Sequence, residues 1–387
     1  MSKIPLCLPS DITPEQFLTD YWQKKPLLIK NGLPALAGMF EPDDILALAT
    51  NEEVTARLIT HQNNQWTLKN SPFTEQDFAN LPKHWTVLVQ NMELWSPDLA
   101  DLWHAFDFIP QWQRDDIMVS YAPKGGSVGK HYDNYDVFLV QGYGLRHWQL
   151  GKYCDTNTKF IKGQPIRVMD NMGDLIFDAI LDVGDVLYVP TNLAHYGVAV
   201  DDCLTFSFGC RNPNPLQLLD SITDVATGFE SLAIPLKITQ PHTLPGELHP
   251  KSIQDTKQQL LDLLNSPLGD TIVCQALAET VSKRQYDLLL PTEMLTLDEL
   301  TDALTQGATI SQDLAGRIIF VKHNHQTQLF INGECVNDEM DSPSQQLLMR
   351  LANGESLSLA DLNQACVTIS SVYEWLENGW ILVNVTD

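Results

Sequence analysis

The chain has 387 residues, 44% of them hydrophobic and 19% charged, and its 49 acidic against 24 basic side chains give a formal charge of −25. This composition excludes a disordered or fibrous protein and predicts a soluble fold of two or three domains. The charge repels nucleic-acid backbones and anionic lipid and attracts a basic macromolecular partner, while serving solubility in any case.

The opening residues, Met1 to Asp11, carry one lysine and an apolar stretch broken by Pro5, which is not the pattern of a secretion signal. No later apolar run reaches the roughly 18 residues of a membrane span, so the expected location is cytoplasmic. Thr13-Pro14-Glu15-Gln16 predicts a capped helix start, and Phe17, Leu18, Tyr21 and Trp22 follow at helical spacing as a core stripe. Lys24-Lys25-Pro26 ends that helix before a strand at Leu27-Leu28-Ile29.

From Ile117 to Gly209 the pattern turns to short β-rich runs, IMVSYA, VFLVQG, HWQL, DVLYVP and LTFSFG, with turns at Gly125-Gly126 and Gly184-Asp185. Many short strands without long helices between them predict an antiparallel sandwich or barrel. No glycine-rich nucleotide motif accompanies them. After Arg211 to Pro215 a helical stripe runs through Leu218, Ile222, Val225, Phe229 and Leu232, followed by helical blocks at about 252–264 and 270–290, closed by Pro291. This middle segment is expected to pack on the β-domain or on a second copy of the chain.

The last hundred residues mix helices near 296–306, 344–352, 359–364 and 370–378 with strands RIIFVKH, QLFING and WILVNV, an arrangement compatible with a winged helix. From Val336 onward eight acidic residues, Asp338, Glu339, Asp341, Glu355, Asp361, Glu374, Glu377 and Asp387, face a single basic one, Arg350. Direct DNA binding is therefore not expected of it. The seven cysteines (7, 154, 203, 210, 274, 335 and 366) form no C-x-x-C pair and suggest reduced, mostly buried thiols.

Strand alternation in G-K-H-Y-D-N-Y-D sends His131 and Asp133 to one face. His195 follows the DVLYVP strand after a short loop, and a barrel crossing can return it to the same end. Two histidines and one carboxylate on one face of an octahedral ion leave three positions open, which suits non-haem Fe(II) with a bidentate 2-oxo acid and dioxygen; a structural zinc site would close with a fourth ligand. The H-x-D triplet alone is weakly specific, and ordinary hydrogen-bonded histidines of a metal-free barrel are the bland alternative. His323 and His325, an H-x-H pair on a strand, lack a carboxylate partner and read as a solvated edge. His147 is placed on the face opposite Arg146.

The segments F-L-T-D-Y-W-Q-K-K-P-L-L-I (17–29), G-G-S-V-G-K-H-Y-D-N-Y-D-V-F-L-V-Q-G-Y-G-L-R-H-W (125–148) and G-D-V-L-Y-V-P-T-N-L-A-H (184–195) together resemble the JmjC-type ribosomal oxygenases. The likeness spans essentially the whole chain and is strongest to the bacterial branch that hydroxylates an arginine of large-subunit ribosomal protein L-sixteen. It implies a mainly β fold with α+β appendages: a double-stranded β-helix of cupin/JmjC type over residues 1–212, a helical dimerisation domain over 213–291 and an acidic winged-helix-like domain over 292–387. It further implies a homodimer and a basic ribosomal substrate. Of the residues, it implies His131, Asp133 and His195 as Fe(II) ligands and Arg146 and Ser120 as contacts to 2-oxoglutarate, with Ser207 a weaker candidate and no catalytic residue beyond the metal centre. Arg146 suits a carboxylate because its guanidinium is planar and bidentate; a simple buried ion pair is its structural alternative. Lys130 stands where the family pattern has proline. Asp136, near the metal motif, is a candidate for gripping the target cation. Rival functions are a JmjC demethylase or hydroxylase of another residue and, outside enzymes, a cupin-like adaptor in ribosome assembly.

Overall fold

Thr13 caps the first helix as its sequence dictates: its hydroxyl accepts from the Gln16 amide and Gln16 Oε1 accepts from the Thr13 amide, at 3.2 and 2.8 Å, over a helix spanning Pro14–Asp20. Phe17 on that helix is fully buried against Tyr188 and Phe108. The computed structural model describes residues 4–239, 242–283, 294–323, 326–337 and 340–385. Its contacts divide the chain into two units, Met1–Asn212 and Pro213–Asp387.

The first unit is built from β1 (Leu27–Ile29), β2 (Ala56–Gln62), β3 (Gln65–Asn70), β4 (His84–Val89), β5 (Arg114–Ala122), β6 (Asp136–Tyr143), β7 (Arg146–Tyr153), β8 (Phe177–Leu181), β9 (Val186–Val189), β10 (Leu193–Ala199) and β11 (Cys203–Cys210). They form an antiparallel eight-stranded sheet, ordered β1-β9-β6-β11-β5-β4-β2-β3, and a three-stranded sheet, β10-β7-β8. This is the double-stranded β-helix, and the alternation of its strands sorts two cores. Ile117 and Val119 of β5, Phe138 and Val140 of β6 and Phe206 and Phe208 of β11 face outward into a core closed by the N-terminal helices. Val137 and Leu139 of β6 face inward and meet Trp148 and Leu150 of β7 and Leu193 of β10 between the sheets.

Two features depart from the sequence expectation. The stretch between Ile29 and Ile117 has no assignment from sequence, and there β2, β3 and β4 extend the large sheet; β3, QWTLKN, is mostly polar and exposed, so it carries little apolar signal. Asn63 and Asn64, at φ of 50° and 61°, make the two-residue turn that joins β2 to β3. In addition, His195 lies within β10 instead of after a loop, because Pro190-Thr191-Asn192 reverses the chain in three residues.

In the second unit, helices Pro215–Ala226 and Pro267–Ser282 pack through Ile222, Val225, Ile272 and Ala276, and Phe229 and Leu232 join them from beyond the first helix's end. A helix at Pro250–Leu264 lies between them in sequence. The remainder is the winged-helix arrangement. Helices Leu297–Thr305, Ser342–Ala352, Leu359–Ala365 and Ile369–Glu377 share one core with strands Thr309–Gln312, Ile318–His323, Gln326–Ile331 and Ile381–Asn384. The expected helical block at 284–290, Pro291, His325, Asp338, Glu339 and Asp387 lie outside the described residues. Cys7, Cys154, Cys203 and Cys210 are buried, and Cys335 and Cys366 are exposed. Among the described residues no helix is long and apolar enough to cross a membrane.

Strand β4 pairs with β5 only from Val119 to Tyr121. Beyond that point Glu93 takes over, its buried carboxylate accepting from the Ile117 amide at 2.8 Å. Burial pushes the Glu93 carboxyl up to about 8. The folded protein thus holds a proton that the unfolded chain releases near 4.5, and stability from this group is complete below that value and lost as pH rises toward 8. Glu93→Gln keeps the acceptor and removes the charge. Its stability is expected to gain on the wild type between about pH 5 and pH 8, by at most roughly 1.4 kcal/mol per pH unit, seen as a melting-temperature difference that grows with pH; an offset that does not change with pH would exclude this origin.

Candidate metal centre

The first ligand strand is short and irregular: Gly129, at φ +87°, turns the chain so that His131 forms a single antiparallel bridge with His195 of β10. The His131 amide donates to the His195 carbonyl at 3.1 Å and the His195 amide returns the bond at 2.8 Å. Two residues on, the Asn192 amide donates to the Asp133 carbonyl at 2.7 Å. The backbone itself therefore brings together side chains that are 64 residues apart in sequence (195 − 131).

The ligand atoms of His131, Asp133 and His195 all lie within 4.8 Å of one another. Asp133 Oδ2 is 3.5 Å from His195 Nε2 and 4.0 Å from His131 Nε2, and the two imidazoles meet edge to face at 4.2 Å. Each ring has its Nδ1 against a backbone carbonyl: His131 against Gly129 at 2.9 Å, His195 against Leu193 at 3.0 Å. A carbonyl can only accept, so Nδ1 carries the hydrogen and Nε2 presents its lone pair toward Asp133. Burial, with His131 beside it, pushes His195 down to about 4, which keeps the ring neutral and ligand-ready at physiological pH.

Lys130 is fixed by its surroundings. Its carbonyl accepts from the Met169 amide at 2.7 Å and its Nζ donates to the Asp170 carbonyl at 2.9 Å.

Arg146 is the second element of the site. It is 2% exposed, on the inward face of β7 with Trp148, and Nη1 donates to Ser120 Oγ at 2.8 Å and Thr205 Oγ1 at 3.4 Å. Its Nε is buried with no partner, and among the described residues no carboxylate pairs with it. The ion-pair alternative is thereby removed. A buried cation without a counter-charge costs several kcal/mol, so this pocket suits an anionic group from outside the chain. Gly197, opposite Trp148 on β10, leaves the room: a methyl there would stand 2.7 Å from the indole and 2.9 Å from Arg146 Nε.

Ser120 on β5 and Thr205 on β11 are directly opposite each other, and Thr205 also donates to Gln141 Oε1 at 2.9 Å. Thr205, Gln141 and Trp148 are site residues that the sequence reading passed over, although Thr205 follows from the same alternation that places Ser207. Ser207 lies between Met118 and Leu139 on the inward face. His147 points outward to Asp178, opposite Arg146 as expected.

Asp136 requires a correction. Its carboxylate is on the outward face, held by the Tyr188 hydroxyl at 2.6 Å, the Gln23 amide group and the Thr191 amide. It is not available to a substrate cation. Asp116 is the inward carboxylate instead: it shares a face of β5 with Met118 and Ser120, and among the described residues no side chain donates to it. Burial pushes it up to about 6, with Arg211 and Arg57 opposing. Tyr135, raised chiefly by burial and next by Asp133 and Asp116, lies near both.

Residues 101–218 match the JmjC domain model, and residues 257–381 match the ROXA-like winged helix model. The chain is 48% identical to a probable ribosomal oxygenase of Haemophilus influenzae, over 99% of each chain. It is 29% identical to the ribosomal protein uL16 3-hydroxylase of Escherichia coli, over 90% of this chain and 91% of that one. The X-ray structure of E. coli ycfD superposes with a TM-score of 0.81 at 27% identity, covering 97% of this chain and 99% of that one. YcfD in complex with cobalt and 2-oxoglutarate gives 0.77 at 27% identity, over 96% and 98%.

Asp133→Ala is expected to weaken Co(II) binding, read by calorimetry, by more than the roughly 10–100-fold typical of an outer-shell change. An unchanged affinity would mean that the three side chains converge for another reason.

Proposed function

Because this chain belongs to the ribosomal oxygenases, with a JmjC domain and a ROXA-like winged helix, we propose that it is an Fe(II)- and 2-oxoglutarate-dependent protein hydroxylase acting on an arginine of ribosomal protein uL16. The observation that carries this reading is the buried, uncompensated Arg146 deep on the sheet face that also bears His195. An adaptor without chemistry has no use for an orphaned guanidinium beside a convergent metal triad.

His131, Asp133 and His195 would hold the iron, a ligand set with room for further ligands on an octahedral ion. Arg146 takes the far carboxylate of 2-oxoglutarate, with Ser120 as a second contact to it, and the Ser120 and Thr205 hydroxyls also hold the guanidinium in place. Trp148 packs against His195 and, with Leu139 and Leu187, makes a dry wall that excludes water from the reacting atoms. When bound, iron would let dioxygen react with 2-oxoglutarate, one oxygen atom entering succinate with loss of carbon dioxide and the other turning a C–H bond of the substrate into C–OH. Asp116 receives the substrate guanidinium, and the acidic surface speeds encounter with a basic protein. The homodimer forms through the helical segment, where Leu216, Leu219 and Ile253 are more than half exposed on helices Pro215–Ala226 and Pro250–Leu264. The function places the enzyme in the cytoplasm, with its domains divided as 1–212, 213–291 and 292–387.

The test is incubation with Fe(II), 2-oxoglutarate and a uL16 peptide under air, read by mass spectrometry. A gain of one oxygen on arginine, absent with His131→Ala, is the expected result; loss of a methylene would mean demethylation, and oxidation at another residue would reassign the substrate.

Two variants separate the two pockets. Arg146→Gln is expected to raise KM for 2-oxoglutarate at least tenfold, whereas Asp116→Asn should raise KM for the peptide and leave 2-oxoglutarate binding unchanged. Peptide KM of the wild type should climb as pH falls through about 6, where the empty-pocket Asp116 takes up its proton, and should be flat in the variant. A pH profile shared by both would remove Asp116 from this role.

A further inference from the structure

Gly129 is confined on two sides. A methyl group placed there would stand 2.9 Å from Val168 Cγ1 and 3.1 Å from Trp66 Cζ2, and its φ of +87° already disfavours any other residue. Its carbonyl is the group that accepts from His131 Nδ1 and so aims Nε2. Whatever fixes that peptide fixes the first ligand.

Trp66 comes from a distant part of the chain, the β3 strand of the hairpin that the sequence reading did not anticipate. Its indole stacks on His61 at 4.1 Å and 15°, which sets the plane of the ring. Its amide donates to Gln164 Oε1 at 2.9 Å, and Gln164 Nε2 donates to the Asn64 carbonyl at 3.3 Å at the hairpin turn. The loop carrying Gln164 and Val168 then reaches the ligand strand again, where the Met169 amide bonds the Lys130 carbonyl. Hairpin, loop and ligand strand are thus tied pairwise, and Gly129 sits where the indole and Val168 converge.

We propose that Trp66 is a positioning residue of the metal centre, pressing with Val168 on Gly129 so that its carbonyl holds the His131 ring in register with Asp133 and His195. This rests on the metal-binding reading of those three residues. Trp66→Phe tests it, since a phenyl ring still stacks on His61 but lacks the benzo ring that reaches Gly129. The full-length apoprotein is titrated with Co(II), reading affinity and the visible d–d absorption, alongside His131→Ala and Gln164→Leu, with melting of each apoprotein. His131→Ala is expected to lose the band. Trp66→Phe should bind Co(II) about tenfold more weakly with a shifted band, while its apoprotein melts within about 2 °C of the wild type, and Gln164→Leu should move the same way by less. Wild-type affinity and band in Trp66→Phe, with the band lost in His131→Ala, overturn the positioning role. Wild-type Co(II) binding by His131→Ala overturns the metal reading itself. Should Trp66→Phe not fold, Gln164→Leu decides alone, and an unchanged band there overturns the proposal.

Discussion

The pair of backbone hydrogen bonds between His131 and His195 is the constraint on which the rest of the site is arranged. An antiparallel bridge fixes the relative position of two Cα atoms and the sides to which their Cβ atoms point. With the Asn192 amide bonded to the Asp133 carbonyl, all three candidate ligands are placed by main chain before any side chain chooses a rotamer. The carbonyls of Gly129 and Leu193 then select the tautomer. The ligand set is in this sense a property of the sheet, and the sheet is a property of the two cores on its faces.

Arg146 shows the opposite logic. Its guanidinium is held in a place where the protein provides hydroxyl groups but no negative charge. Folding accepts a buried, incompletely satisfied cation, a cost that the aliphatic and aromatic packing around Trp148 and Leu150 has to offset. Local rules broken in this way mark functional positions, because a fold selected for stability alone would place a carboxylate or an apolar group there.

The metal triad was legible in the sequence because its signals are short-range: H-x-D exploits the period of a strand, and a histidine past a Tyr-Val-Pro strand end marks the partner. The strands from Ile117 onward were legible for the same reason. The extension β2 to β4 was not, since β3 shows only Trp66 and Leu68, half-buried on one face, as apolar signal and owes its place chiefly to pairing with β2. Asp136 was misplaced because both faces of β6 are apolar, Val137 and Leu139 on one and Phe138 and Val140 on the other. Periodicity cannot tell inside from outside in such a strand. Asp116 has the same parity as Ser120, yet its inward direction becomes visible only once pairing with β11 shows which face of β5 is the barrel interior.

That shared parity has a consequence for how this protein can change. Positions 116, 118 and 120 alternate along β5 with Ile117, Val119 and Tyr121, so chemistry and cohesion are interleaved residue by residue on one strand. Side-chain exchange at the inward positions leaves the outer core intact, which makes substrate preference open to drift by single substitutions. A one-residue insertion or deletion in the same strand would do the reverse, turning acid and hydroxyl groups into the aromatic core and phenyl-packing aliphatics into the pocket. Diversity along this strand is therefore expected as replacements without length change, and length variation is confined to turns such as Asn63-Asn64.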